Sequence, residues 1–156
     1  VEQISNHISW AEAVKSQTAI RLGISNIPNP SQIARMKLLA ERIFEPVREH
    51  FGKPIYVSSF YRSSEVNKKI GGSPNSQHMA SRGAAMDLDA QVLGGITNKE
   101  IFNYILNNLD FDQLIWEFGD NDEPEWVHVS YVNPEENRHQ VLRAYSKNGK
   151  TVYAEK

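Results

Sequence analysis

The sequence predicts an α+β fold, a small and mostly antiparallel sheet with helices packed on one side. Three observations predict it. Apolar residues recur at spacings of three and four through the first third of the chain, the period of a helix with one buried face. Later, short runs rich in β-branched and aromatic residues dominate, as strands do. Near the end, Asn148-Gly149, a favoured tight-turn pair, separates two such runs and marks an antiparallel hairpin. The 156 residues suffice for one domain with a real core, expected to span 1–156.

Taken in order, a short helix is expected over 10–16, after Ser9. Ser25 to Pro30 forms a rigid loop, because it holds two prolines. Ser31 is expected to cap a long helix reaching about His50. Its buried face is Ile33, Met36, Leu39, Ala40, Ile43, Phe44 and Val47. Pro46 bends or interrupts that helix and Gly52 ends it. Residues 55–59 read as a strand, 64–70 as a short helix stopped by Gly71-Gly72, and 73–83 as a polar loop. A strand over 84–90 places Ala84, Met86 and Leu88 on one face and Ala85, Asp87 and Asp89 on the other. Thr97 and Glu100 make a capping box for a helix over 98–109. Strands follow over 112–118 and 126–132, separated by an acidic turn, and the hairpin pairs 140–145 with 151–154.

Composition removes several functions. The formal net charge is −2 and no basic-aromatic stripe occurs, so nucleic acid is not the expected partner. There is no cysteine, which rules out disulfides, thiolate metal sites and a cysteine nucleophile. No apolar run approaches the roughly 20 residues that span a bilayer. Val1-Glu2-Gln3-Ile4-Ser5 lacks the basic and apolar regions of a signal peptide. The expectation is a protein not exported by that route or one whose leader has been removed, acting as a monomer.

The chemistry concentrates on His78, Asp87 and His128. Two imidazoles and a carboxylate are ligands that a catalytic zinc ion accepts, with a fourth position left open. Each has an ordinary alternative. His78 in a polar loop reads as a surface residue. Asp87, among small and apolar residues, reads as a carboxylate bonded to backbone, and His128 as a core-edge histidine with one hydrogen bond. Together with Glu125 as a general base and Arg62 just after the first strand, they read as a hydrolytic site. His7, His50 and His139 are assigned no metal. His50 sits at a helix C-terminus, where the macrodipole favours it.

The motifs Ser59-Phe60-Tyr61-Arg62, Ser76-Gln77-His78, Gly83-Ala84-Ala85-Met86-Asp87 and Glu125-Trp126-Val127-His128 occur in that order. This series resembles the D-alanyl-D-alanine metallopeptidases of bacterial cell walls, a family of zinc carboxypeptidases, dipeptidases and phage endolysins. The stretch from Ser16 to Asn26 resembles a phage-associated branch. The resemblance implies a hedgehog/DD-peptidase-like fold and one Zn²⁺ held by His78, Asp87 and His128. It implies Glu125 as general base and Arg62 as the group that polarises the scissile carbonyl. Ser76, Tyr61 and Trp126 would bind substrate, a peptidoglycan stem peptide cut by a carboxypeptidase or an endopeptidase at the cell wall or in the periplasm. The alternative is a non-catalytic peptidoglycan- or protein-binding domain with structural zinc.

Two departures accompany it. His78 and Asp87 lie nine residues apart where the family has seven, and the extra length is placed before Gly83. Asp89, on the same strand face as Asp87, stays a rival ligand. In addition, residues three apart in a regular strand face opposite sides, so Glu125 joins His128 only if the chain bends after Pro124. Otherwise Glu123 or Glu117 takes the role of base.

Overall fold

The structure, a computed structural model, describes residues 3–156. The first part of the leader reading, Val1 and Glu2, lies outside them. A two-stranded ribbon, β1 (Gln3–Ser5) with β2 (Ile8–Ser9), opens the chain and leads into α1 (Trp10–Val14). Ser9 and Glu12 cap α1 reciprocally, which satisfies N–H groups that the first helical turn leaves unbonded. A second helix, α2 (Gln17–Leu22), follows. It and the ribbon carry too few residues for a periodic signal, and the sequence reading did not contain them.

The long helix is present, with a correction at its start. Its first part, α3 (Pro30–Leu39), is capped by Asn29, not Ser31. Asn29 and Gln32 form a capping box, and Pro30 takes the first helical position, where a missing N–H costs nothing. The chain then runs through a π-helical stretch, Ala40–Phe44, into α4 (Glu45–Phe51). Glu45 donates to the Ala40 carbonyl, five residues back. The wider turn lies just before Pro46, which has no N–H for the α-helical ladder, so the helix changes pitch there and does not break. Gly52, left-handed at φ 63°, closes it.

The remaining elements are β3 (Tyr56–Ser59), α5 (Ser64–Lys69), β4 (Ala84–Asp89), α6 (Asn98–Asn108), β5 (Gln113–Glu117), β6 (Trp126–Tyr131), β7 (Gln140–Lys147) and β8 (Lys150–Glu155). The six strands from β3 to β8 form one sheet, in the order β3-β4-β6-β5-β7-β8. Every pair is antiparallel except β5 with β7. The α+β architecture is therefore the expected one.

Strand alternation divides this sheet into two faces with different work. Val57, Met86, Leu88, Val127, Val129, Leu114 and Trp116 point to one side and form the main core with Met36, Leu39, Ile43, Phe44, Ile101, Phe102 and Ile105 of the helices. The other face carries Asp87, His128, Ile115, Glu117 and Leu142, which line a cavity of about 1130 Å³. Helices secure one face, and the polar chemistry is left for the other.

Candidate metal centre

His78, Asp87 and His128 meet on the open face. Asp87 in β4 is the direct cross-strand partner of His128 in β6, so register alone brings them together. The Asp87 Oδ1 atom lies 3.0 Å from His128 Nδ1 and 3.3 Å from His78 Nε2. One candidate ligand atom from each residue lies within 4.8 Å of the other two, and this is the one such group of three among the described residues.

His78 arrives from a different direction. It sits in a single 3₁₀ turn, Gln77–Met79, inside the stretch expected to be polar loop. The turn is tied down on every side. Gln32 and Arg35 of α3 donate to the carbonyls of Met79 and Ala80. The Arg62 backbone N–H donates to the His78 carbonyl. Gln77 Nε2 donates to Asp112 Oδ2, a fully buried carboxylate that also accepts two bonds from the Arg138 guanidinium. His78 Nδ1 lies 2.7 Å from the Phe60 carbonyl, which only a protonated nitrogen can bond. That contact selects the tautomer whose Nε2 lone pair faces Asp87. The connection from the His78 turn to β4 ends at Gly83. Gly83 itself has φ 63°, and a Cβ there would lie 2.2 Å from the Tyr131 carbonyl oxygen, so β4 can approach β6 here only with glycine.

The electrostatics suit a cation. Burial by itself would raise the Asp87 pKa, but His78 and His128 outweigh it and hold the carboxyl far below the usual range. Burial pushes His78 down, against the pull of Asp87. Near neutral pH the cluster therefore offers a carboxylate and a neutral imidazole, the forms that coordinate metal. Its N···O separations of 3.0 and 3.3 Å match the ligand–ligand edge of roughly 3.3 Å that a tetrahedron with 2.0–2.1 Å bonds requires. The donor set thus fits a divalent ion such as zinc.

Asp89 is not a competing ligand. Its Oδ1 accepts from Asn98 Nδ2 and from the Gln91 N–H, and it lies outside the group of three. His7 pairs with Glu45, His50 stacks on Tyr104, and His139 pairs with Asp110.

The expected position of Glu125 is corrected. Glu125 is exposed and does not line the cavity. Trp126 pairs across with Glu117 and shares its face, so the pleat turns the preceding Glu125 away. The chain does not bend as its convergence with His128 would need. Glu117 stands there instead, on the cavity face of β5, 6% exposed and with no hydrogen bond to its carboxylate among the described residues. Burial raises its pKa to about 7, against the opposing effect of His128. The sequence held a signal for this, since Glu117 ends an apolar strand (Leu114, Ile115, Trp116) where a buried carboxylate is an anomaly. Glu123 is no substitute, because its carboxylate accepts from the Lys99 N–H at the start of α6.

Arg62 lines the cavity and donates from Nη2 to Ser76 Oγ at 3.3 Å, while its buried Nε has no partner among the described residues. Ser76 and Trp126 also line it. Tyr61 does not. It is 4% exposed in the helix-side core, with its hydroxyl on Gln32 Oε1, so the expectation that it touches substrate is replaced by a packing role.

A family model described as Peptidase M15 matches residues 6–130. The chain belongs to the Peptidase M15 family. No curated protein matches it in sequence. The M15 match covers the capped helices, the Arg62 turn, all three candidate ligands and Glu117, and it ends before β7. Membership makes the M15 chain a peptidase-type hydrolase by family, and the cluster is where such chemistry has a metal site to use.

Proposed function

We propose that the protein is a zinc-dependent peptidase that cuts peptide bonds in bacterial cell-wall stem peptides. The observation that carries this is a His78–Asp87–His128 cluster, buried at His78 and partly buried at the other two, that shares one cavity with the Arg62 guanidinium and with a Glu117 carboxyl unpaired among the described residues. His78, Asp87 and His128 would hold the ion. Zinc in such a site supplies Lewis acidity, which polarises an amide carbonyl and makes water a usable nucleophile near neutral pH.

The chain's own groups do the rest. Glu117 accepts the proton of the attacking water and delivers it to the departing amide nitrogen. A carboxyl that can take up a proton and release it again serves first as base and then as acid. Arg62, anchored on Ser76, meets the negative charge that forms on the carbonyl oxygen in the transition state. The cavity, at about 1130 Å³, has room for several residues beside the scissile bond, which favours cleavage within a peptide over removal of a terminal residue.

The test is digestion of purified peptidoglycan by the zinc-loaded protein, with and without chelator, followed by mass spectrometry of the products. New amine and carboxylate ends that disappear with chelator are expected. A product set identical to the undigested control would refute the reading.

A further inference from the structure

The strand that carries Glu117 ends out of its pleat. In β5, Ile115 and Glu117 face the cavity, and Leu114 and Trp116 face the helices. Regular alternation would send the next residue, Phe118, to the helix side. Phe118 lines the cavity instead. Its backbone is left-handed, φ 56°, a conformation that bulky residues rarely adopt. Its N–H still donates to the Ala144 carbonyl, so the ladder bond survives the change of direction. Gly119 follows at φ 69°, where a Cβ would lie 2.0 Å from the Glu123 carbonyl oxygen. The Asp120 N–H and the Trp116 indole N–H close the turn on the carbonyls of Glu123 and Asp120. Glycine would hold φ 56° without strain. Strain of this kind collects where a side chain serves a site.

Trp126 meets Phe118 there. Their ring centroids lie 5.4 Å apart with the planes at 55°, and both rings are part-exposed on the cavity wall. Trp126 is the cross-strand partner of Glu117, so this aromatic corner adjoins the reacting carboxyl. Its rim is polar. Tyr153 stands in the same row as Trp126, Glu117 and Ala144, and Tyr153 and Thr151 both line the cavity. The Trp126 indole N–H bonds no protein group among the described residues. The opposite end of β5 differs, because Gln113, Arg138 and Gln140 line the cavity there with amide and guanidinium groups.

We propose that Phe118 and Trp126 form a saccharide subsite at one end of the peptidase groove. A pyranose ring has an apolar C–H face that lies against an aromatic ring, and hydroxyls at its edge that need hydrogen-bonding partners. The corner supplies both. An apolar side chain would use the rings and leave the polar rim unmatched. The substrate class is then a glycopeptide. Its sugar ring rests on the Phe118–Trp126 corner, and its peptide crosses the His78–Asp87–His128 cluster toward Gln113. This rests on the peptidase reading and deepens it, because the site then contacts the glycan that bears the stem peptide.

The test titrates the zinc-loaded full chain with a chitin-derived trisaccharide and, separately, with N-acetyl-leucine amide, while backbone and indole N–H signals are followed by NMR. The sugar should shift Phe118, Gly119 and the Trp126 indole, and the shifts should saturate. Phe118→Asn, whose side chain tolerates a left-handed backbone, should weaken sugar binding about tenfold with the rest of the spectrum in place. Trp126→Leu should weaken it similarly. No saturable sugar binding, sugar binding that leaves the corner signals still, a corner that answers leucine amide and not the sugar, or unaltered affinity in both variants would each overturn the proposal. Digestion of peptidoglycan by the unsubstituted chain, run in parallel, reports on the peptidase reading separately. A corner that binds sugar in a protein that releases no peptide would refute that reading and leave the saccharide subsite standing.

Discussion

Glu125 donates its backbone N–H to the Glu117 carbonyl over 2.8 Å, yet only Glu117 turns its carboxyl into the cavity. Two acidic residues joined by one ladder bond thus face different surroundings, one buried and one in solvent. Glu117→Gln should lower turnover by roughly a hundred- to ten-thousand-fold while metal content stays unchanged. Glu125→Gln should act like the parent. Hydrolysis assays with metal analysis check both, and the opposite pattern would return the base to Glu125.

That pair also marks where the sequence was legible. The candidate ligands were readable because each lies in a short motif, and because Asp87 opposite His128 follows from strand pairing. The fold class was readable from the period of Met36, Leu39, Ile43 and Val47 and from the Asn148-Gly149 turn. Glu117 was named only as an alternative to Glu125, because the choice between them depends on which residue faces Trp126 across β5 and β6, a register no single strand reveals. The cap at Asn29 was missed because Pro30 hid the helix start, and Tyr61 was misplaced because sequence does not show that its ring turns toward Gln32.

Arg62 has few alternatives to its cavity role, since its buried Nε lacks a partner among the described residues. Arg62→Ala should cut kcat by roughly a hundred- to a thousand-fold with the ion still bound. Undiminished turnover would remove it from the reaction. His128→Ala should lose the ion, whereas Asp89→Asn should retain it, because Asp89 serves Asn98 and the Gln91 backbone.

Glu117 gives the metal-free protein a distinct pH response. Its folded pKa of about 7 exceeds the ordinary 4.5, so the folded state holds the proton more tightly than the unfolded chain. Stability is therefore fully present below 4.5 and declines as pH rises through 7, by roughly 3 kcal/mol in all. Denaturant titrations in chelator across this range should show that slope, and Glu117→Gln should flatten it.

Asp112 is the buried anchor of the His78 turn. It accepts from Gln77, which precedes His78, and from the backbone and guanidinium of Arg138. Burial alone would raise its pKa, but these bonds outweigh burial and hold the carboxyl below the usual range. A lowered pKa means that its contribution is present above about pH 4 and lost as pH falls through the folded value. Asp112→Asn should cost about 1–3 kcal/mol in denaturant unfolding. It should also weaken metal binding by about ten- to a hundredfold, measured by competition with a chelator, because the turn that aims His78 Nε2 loses its tie. Gln77→Ala should reproduce much of the metal effect with less loss of stability. Adding it to Asp112→Asn should change metal affinity little further, since both substitutions cut the same bond. Fully additive losses would show that Asp112 acts on the fold and not through Gln77.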